Sequence, residues 1–577
     1  MYYWHVTLFV IALALGAWCW SRYRQTDRTE MWLGWLALSA GGAKIWLATG
    51  QPQFAVPVAL HDDRIFLRLA TYLLSGNWLG PYDQLTLVKG PFYPLFMAGV
   101  SKLRLPLTLA HNLVYIAAGW LFVRALRPLQ LPGWIRASLL LGILLCPVLA
   151  GTNPFVRAWR QPLWPGLVLL AVAGAIGLAL RDGVRACWKA AWVLLAGSAM
   201  AAMWMTREEA IWTVPMLLLP LLYAGWRSVS SRSAPGHTPW LVAPVVLASL
   251  AVGVVSWKNY STYGFWGIVE LREDSFIAAY SALSRVEPHD LDRRITVTRA
   301  ARELIYEVSP AFASLRQEME EGVGAKFMKI TQDRTDIHGV EEREIAGGLM
   351  LFALRDAVGL SGQARSADSA RAFYRRLADE VNSACADGRL PRCLSPRHTL
   401  WPPWYSNYLP KIVWAGLSGA NLIMSYRLDP NPVPSIGSAE DLQWVERVTH
   451  DRVSPADPEK AMALRSVWRV TVLRVSILAY RYGMSVFFPV ASAVWLLLVA
   501  RALYRWELGP LILISTALVL GIAANLAVVA IIDATSFSAV KSGSGYLGPS
   551  IPLAVCFVGL VFAELVTIVK DRTASRS

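Results

Sequence analysis

The chain has 577 residues, 55% of them hydrophobic and 16% charged, with a mean hydropathy of +0.40. A soluble protein carries about 25% charged residues, so this composition excludes an ordinary soluble enzyme and points to a polytopic α-helical membrane protein. The formal net charge of +15 does not mark a nucleic-acid binder, because the basic residues cluster in short loops between apolar runs.

The opening MYYWHVTLFVIALALGAWCW lacks a basic leader and a small-residue cleavage site, and it reads as a retained membrane helix. Apolar segments near 3–20, 31–48, 106–126, 134–151, 164–181, 187–205, 209–226, 240–257, 483–503, 508–532 and 546–569 give about eleven spans, each suited to a hydrocarbon core of ~30 Å. The basic loops hold Arg22, Arg24 and Arg28; Arg124, Arg127 and Arg136; Arg181, Arg185 and Lys189; Arg227 and Arg232; Arg501 and Arg505; and Lys570, Arg572 and Arg576. With these in the cytoplasm the spans alternate, N-terminus outside and C-terminus inside. The 26 tryptophans, many near span ends, suit an interfacial belt. The loops at 49–105, 152–163, 206–209, 258–482 and 533–546 then lie outside. The expected organisation is an N-terminal membrane module at 1–257 with a catalytic outer loop at 49–105, a mainly helical extracytoplasmic domain at 258–482, and a C-terminal membrane module at 483–577.

The first outer loop holds VALHDDRIFLRLATYLLSGNWLG. Over 64–75, Ile65, Phe66, Leu69, Tyr72 and Leu73 share one helical face, and Arg64, Arg68, Thr71 and Ser75 share the other. This amphipathic pattern is too short to span and is expected to lie in the membrane interface. Asp62 and Asp63 stand at its start, where capping alone can explain an acidic residue. The loop continues to VKGPFYPLFMAGV, in which Lys89 precedes a Gly-Pro helix start. A carboxylate can act as general base toward an alcohol or amine, and a lysine can hold a phosphate as a point charge.

Further along, Arg157 and Arg160 in NPFVRAWRQPLWP lie outside against the positive-inside trend, which favours contact with lipid phosphate. In MTREEAIWTVP, Arg207 is a candidate phosphate ligand and Glu208 and Glu209 are candidates for acceptor hydroxyls, though charges at a span end are often merely interfacial. In the outer domain, Glu270, Arg272, Glu273 and Asp274 read as a solvated face. SADSARAFYRRLADEVNSAC reads as a helix capped by Ser366 or Asp368. Cys385 and Cys393, flanking a turn-rich loop on an oxidising face, are expected to pair. Asp533 closes a span, as a loop cap or facing the cavity. His61 beside two aspartates falls short of a zinc cluster. No cofactor is required, although a divalent Mg or Mn ion on oxygen ligands is compatible with the acidic pair. P-loop, dinucleotide, zincin and hydrolase motifs are missing from the sequence.

The acidic pair, the helix ending in LLSGNWLGPY and the segment KGPFYPL together resemble the GT-C superfamily of polytopic glycosyltransferases, over about residues 60–100 and in general topology. SGYLGPSIPLAV at 544–555 resembles a late-span motif of that superfamily more loosely. Its usual Arg is missing, with Ser544-Gly545 before the Tyr and Lys541 the nearest cation. The resemblance implies a polyprenyl-phosphate-linked sugar donor and single-displacement, inverting transfer. It implies Asp62 as the base, and Asp63 as the residue that shares or orients the proton or helps bind a metal. Lys89 would contact the donor phosphate, with Arg64, Arg68 and Arg207 in support. Tyr82 and Tyr93, with Glu208 and Glu209, are expected to line the acceptor cavity. The acceptor would be a cell-envelope glycan, lipid or protein, reached from the outer face of a bacterial inner membrane. A transporter or flippase would need mid-span charges and related halves, which the sequence lacks. A non-catalytic scaffold is opposed by the acidic pair and lysine.

Overall fold

The computed structural model describes residues 28–150, 155–230, 238–287, 294–334, 337, 343–426, 429–536, 540 and 545–574. The expected span at 3–20, with Cys19, Arg22 and Arg24, lies outside these residues. So do Lys541 and Ser544. Among the described residues the chain is helical, and its β pairing is confined to isolated bridges.

The other expected spans fall on helices. These are α1 (Arg28–Thr49), α4 (Leu107–Ala125), α5 (Gly133–Leu145), α6 (Trp164–Ala179), α7 (Ala186–Trp204), α8 (Val214–Ser230), α9 (Thr238–Tyr263), α20 (Val467–Arg505), α21 (Pro510–Thr535) and α22 (Ser550–Ala574). Seven helices among the described residues are long and apolar enough to cross a membrane, and α5 and α6 are shorter apolar helices. The short α6 lies at the centre, packed by α4 and α7. Its small residues permit this. A side chain at Gly174 would meet the backbone of Ala196, and one at Gly177 would meet the Trp192 ring. Close backbone approach through small residues is how helices associate where water gives no driving force.

Two short helices, α2 (Ile65–Leu74) and α3 (Phe92–Lys102), fill the first outer loop. The periodicity of α2 is as expected, but its apolar face is not given to lipid. Ile65, Phe66, Leu67, Leu69 and Ala70 are buried, and Phe66 meets Tyr93 of α3 edge-on at 5.0 Å. Gly76, with φ of +85°, ends the helix, as a left-handed position favours glycine.

The outer helices α10 (Asp274–Leu283), α11 (Arg299–Val308), α12 (Pro310–Ala313), α13 (Arg316–Glu320), α14 (Val323–Arg334), α15 (Gly347–Leu360) and α16 (Ala367–Ala386) pack on one another. Ser366 caps α16 in a capping box, and Cys385 and Cys393 form a disulfide at its end. Within the expected 258–482 segment, α17 (Tyr408–Ser425) instead packs on α20 and α21, turning Leu409, Val413, Trp414 and Leu417 outward. Helices α18 (Ala439–Thr449) and α19 (Pro458–Ala463) follow, and α20 starts at Val467 rather than near 483. At 39 residues it is about 58 Å long, so it extends well past a hydrocarbon core of ~30 Å.

Helix ends in this fold are closed by distant residues. Lys44 of α1 donates to the Cys146 and Val148 carbonyls at 2.8 and 2.7 Å, at the C-terminus of α5, where a cation suits the exposed carbonyls. Asp451 accepts from Thr108 N–H and Oγ1, both at 2.9 Å, at the start of α4. Parallel bridges join Gln53 to Val453 and Phe54 to Arg157, so three remote segments meet beside the acidic pair.

A non-reducing peptide map should recover Cys385 and Cys393 as one linked peptide. Replacing Cys385 by Ser should lower the resistance of the outer helices to pulse proteolysis by about 2–3 kcal/mol, as expected for so short a closed loop. Unlinked peptides and an unchanged Cys385→Ser variant would contradict this pairing.

Candidate active site

Neither aspartate caps α2. The turn Leu60–Arg64 is π-helical, and Asp62, at φ −122° and ψ −105°, leaves the helical region inside it. The residue before α2 makes no side-chain cap. The two side chains part company. Asp63 is fully buried, with Oδ2 accepting from Val56 N–H at 2.5 Å and Oδ1 from Arg157 Nε at 2.6 Å. Asp62 keeps 43% of its side chain open. Its Oδ1 lies 3.5 Å from Lys89 Nζ and its Oδ2 3.8 Å from Arg157 Nη2.

The electrostatics separate the pair further. Burial pushes Asp63 up to about 6, against the pull of Arg157 and Val56 N–H. Burial also lifts Asp62, although part of its side chain is open. Lys89, Arg157, Arg160 and His61 outweigh that and hold its carboxyl below the ordinary carboxylate range. Opposite environments on paired carboxylates commonly assign them different roles. Here Asp62 is the ionised, accessible group, and Asp63 holds Arg157.

Lys89 is brought in by the sequence around it. Its Nζ donates to the His61 carbonyl and lies 5.5 Å from the Phe66 ring centre. The following Gly90 abuts the Met205 carbonyl, where a side chain would collide with main chain. Glycine is what permits that approach, and it sets the lysine loop against the turn that carries Arg207.

That turn supplies the far wall. Arg207 is 1% exposed and binds Glu209 Oε1 through Nε and Nη2 at 2.9 and 2.5 Å. Its guanidinium lies 4.8 Å from the Tyr546 ring centre and 5.7 Å from that of Trp164. Its Nη1 is buried with no hydrogen-bond partner among the described residues. Arg160 donates to the Thr206 carbonyl at 2.9 Å and acts electrostatically on both Asp62 and Glu209. Tyr546 interacts with Arg207, Glu209, Arg160 and Asp62, which links the 545–549 turn to the same site.

The remaining sequence candidates lie elsewhere. Arg68 is committed to Asp83, and Arg64 donates to the Pro57 carbonyl at 3.5 Å. Tyr93 is a core residue, buried against Phe66, Phe96 and His111. Tyr82 donates to Glu270 Oε1 at 2.7 Å, in a buried cluster with Arg355. The Glu208 side chain lies outside the described residues. Asp533 accepts from Val540 N–H at 2.8 Å, as a loop cap.

Glu270 corrects the expectation of a solvated charge run. It is buried and bound by Arg355 Nη2 at 2.5 Å, whereas Asp274 of the same run is 91% exposed. His61 binds Asp356 Oδ2 at 2.8 Å and no metal partner set. Among the described residues, no three His, Cys, Asp or Glu side chains cluster as metal ligands. With Asp63 closed by Arg157 and Asp62 among cations, these carboxylates do not fit a divalent ion.

No protein-family profile and no curated protein matches this sequence. The solved structures that match include two crystal structures that align with most of it. The chain is similar to ArnT from Cupriavidus metallidurans. The undecaprenyl-phosphate-bound structure of that protein aligns at 13% identity and TM-score 0.31, over 91% of this chain and 77% of that one. Its apo structure aligns at 15% identity and TM-score 0.30, over the same 91% and 77%. Scores this low carry no argument about the reaction, and the geometry around Asp62 stands without them.

Asp63→Ala should leave Arg157, which is largely covered, with only the longer 3.8 Å ion pair to Asp62 among the described residues, at a cost of about 3 kcal/mol, the low end for breaking a buried pair. Thermal unfolding of the purified protein checks this. A change near zero would mean that the Asp63–Arg157 pair does not hold the loop.

Proposed function

We propose that this chain is an inverting membrane glycosyltransferase that moves a sugar from a polyprenyl-phosphate donor to a cell-envelope acceptor on the outer face of the membrane. The observation that carries the reading is Asp62, an open carboxylate held ionised among Lys89, Arg157 and Arg160. A base and a phosphate cradle within a few ångströms of each other suit a reaction in which one substrate loses a proton as the other releases an anion.

In this reading Asp62 takes the proton from an acceptor hydroxyl or amine. The acceptor atom attacks the anomeric carbon from the face opposite the phosphate. The bond from that carbon to the phosphate oxygen breaks, and polyprenyl phosphate leaves with the electron pair. Lys89 meets the charge that develops on the leaving oxygen, displacing its own contact with Asp62. Arg157 is held in place by Asp63. Arg207 offers an unpaired buried Nη1, a donor that costs about 1–3 kcal/mol while unsatisfied and that a phosphate oxygen would satisfy. The described cations around the site, Lys89, Arg157, Arg160 and Arg207, outnumber Asp62, Asp63 and Glu209. That surplus suits a singly charged phosphodiester.

Glu209 and Tyr546 are placed to meet the acceptor or the sugar. The segment at 258–482 would select the acceptor, which is a glycan, lipid or protein. In this reading the site lies on the extracytoplasmic face of a bacterial inner membrane, and the positive-inside pattern supports that orientation. Neither a nucleic acid nor a cofactor has a part in this reaction.

The test is transfer from a labelled polyprenyl-phosphate sugar by membranes carrying the wild type, Asp62→Asn or Asp63→Asn. Asp62→Asn should lose at least about 100-fold in kcat, the low end for a general base. Wild-type rates in both variants would remove the assignment.

The pH profile gives a second check. A base whose pKa is depressed stays ionised as pH falls. Activity should therefore be flat from about pH 7 upward; a first, partial fall should follow Asp63, pushed up to about 6, and the limb of Asp62 itself should lie below the ordinary carboxylate value of about 3.9. Arg157→Gln removes one of the charges that depress it, so the limb should move to higher pH. An unmoved limb would mean that Arg157 does not act on the base.

A further inference from the structure

We propose that Asp356 is a positioning residue, which holds His61 so that the His61 carbonyl fixes Lys89 beside Asp62. One helix of the outer domain thereby sets the geometry of the membrane-side site. The proposal rests on the reading of Asp62 and Lys89 given above.

Helix α15 presents Phe352, Arg355 and Asp356 at i, i+3 and i+4, the spacing of a single helical face. Asp356 is 1% exposed, and its Oδ2 lies 2.8 Å from His61 Nε2. The Phe352 ring centre lies 4.7 Å from that of His61 and 5.8 Å from Lys89 Nζ. Phe327 of α14 flanks the imidazole at 5.9 Å. Arg355 reaches the other arm of the same loop, through Glu270 at 2.5 Å, Tyr82 OH at 3.2 Å and the Asp83 and Thr86 carbonyls at 3.3 and 3.4 Å. Adjacent residues of one helix therefore pin both arms of the loop that runs from His61 to Lys89.

The pin matters because the backbone at this point is irregular. His61 precedes the non-helical Asp62 inside a π turn, so its carbonyl lies where the helical geometry breaks. Its imidazole Nδ1 is buried without a hydrogen-bond partner among the described residues, as is Asp356 Oδ1. The ring is thus oriented by a single polar contact and two aromatic faces. Lys89 then donates to the carbonyl of that residue, 3.5 Å from Asp62 Oδ1. Loss of the Asp356 contact would free the His61 main chain, and Lys89 with it.

The experiment is amine-reactive labelling of the full-length protein in nanodiscs, read at Lys89 by mass spectrometry and normalised to Lys326 and Lys411. Amide exchange over Gly347–Leu360 is followed in parallel. In the wild type Lys89 should label slowly. Asp356→Asn should raise its rate roughly tenfold, the scale of one charge-assisted hydrogen bond, with amide exchange unchanged. Asp356→Glu should restore slow labelling. If Asp356→Asn cannot be recovered, Phe352→Leu carries the same prediction with a smaller rise.

Unchanged Lys89 labelling would overturn the proposal. So would a rise matched by faster exchange throughout the helix, since that is general loosening. A wild type that labels as expected but transfers no sugar would overturn the glycosyltransferase reading and leave the positioning role standing.

Discussion

A carboxylate in a poorly solvated cleft stays ionised only if opposite charge stands within a few ångströms. At Asp62 that charge comes from two separate parts of the chain. Lys89 arrives through the outer loop, and Arg157 and Arg160 through the segment before α6. Much of the local architecture serves to bring these together. Gly90 lets the lysine loop lie on the Met205 carbonyl. The Phe54–Arg157 bridge sets the arginine beside the loop. Asp63 holds that arginine with one carboxylate oxygen and the Val56 N–H with the other.

The same logic recurs away from the site. Lys44 closes the end of α5 and Asp451 the start of α4 from far away in sequence. Burial pushes Asp451 up to about 7 despite its bonds from Thr108. In that environment an unpaired charge costs several kcal/mol, and breaking one partner costs more than the pair contributes. The outer domain joins the first loop by the same means, through Asp356–His61 and Arg355–Tyr82.

The sequence made some of this legible and hid the rest for physical reasons. The spans were readable because length and apolar content are local properties, and ten of the expected segments fall on helices. Asp62 and Lys89 were readable because one loop holds both. Arg157 and Arg160 stood out as basic residues in a loop that the positive-inside trend would place outside. The fate of Glu270 was hidden because its partner Arg355 lies 85 residues away, and that of His61 because Asp356 lies 295 residues away. The periodicity of α2 was right, but a hydrophobic face does not say whether lipid or protein will cover it. Helix α17 was hidden by Lys411 and the Pro- and Trp-rich stretch before it, which broke the apolar run.

The central claim is the proposal that Asp62 faces outward and that a phosphate binds beside it. The most direct measurement is labelling of an Asp62→Cys variant in intact cells with a membrane-impermeant thiol reagent, with and without added undecaprenyl phosphate in matched nanodiscs. The account predicts labelling from outside that the lipid phosphate suppresses. Labelling that appears only after the cells are permeabilised, or that the lipid phosphate leaves untouched, would contradict it.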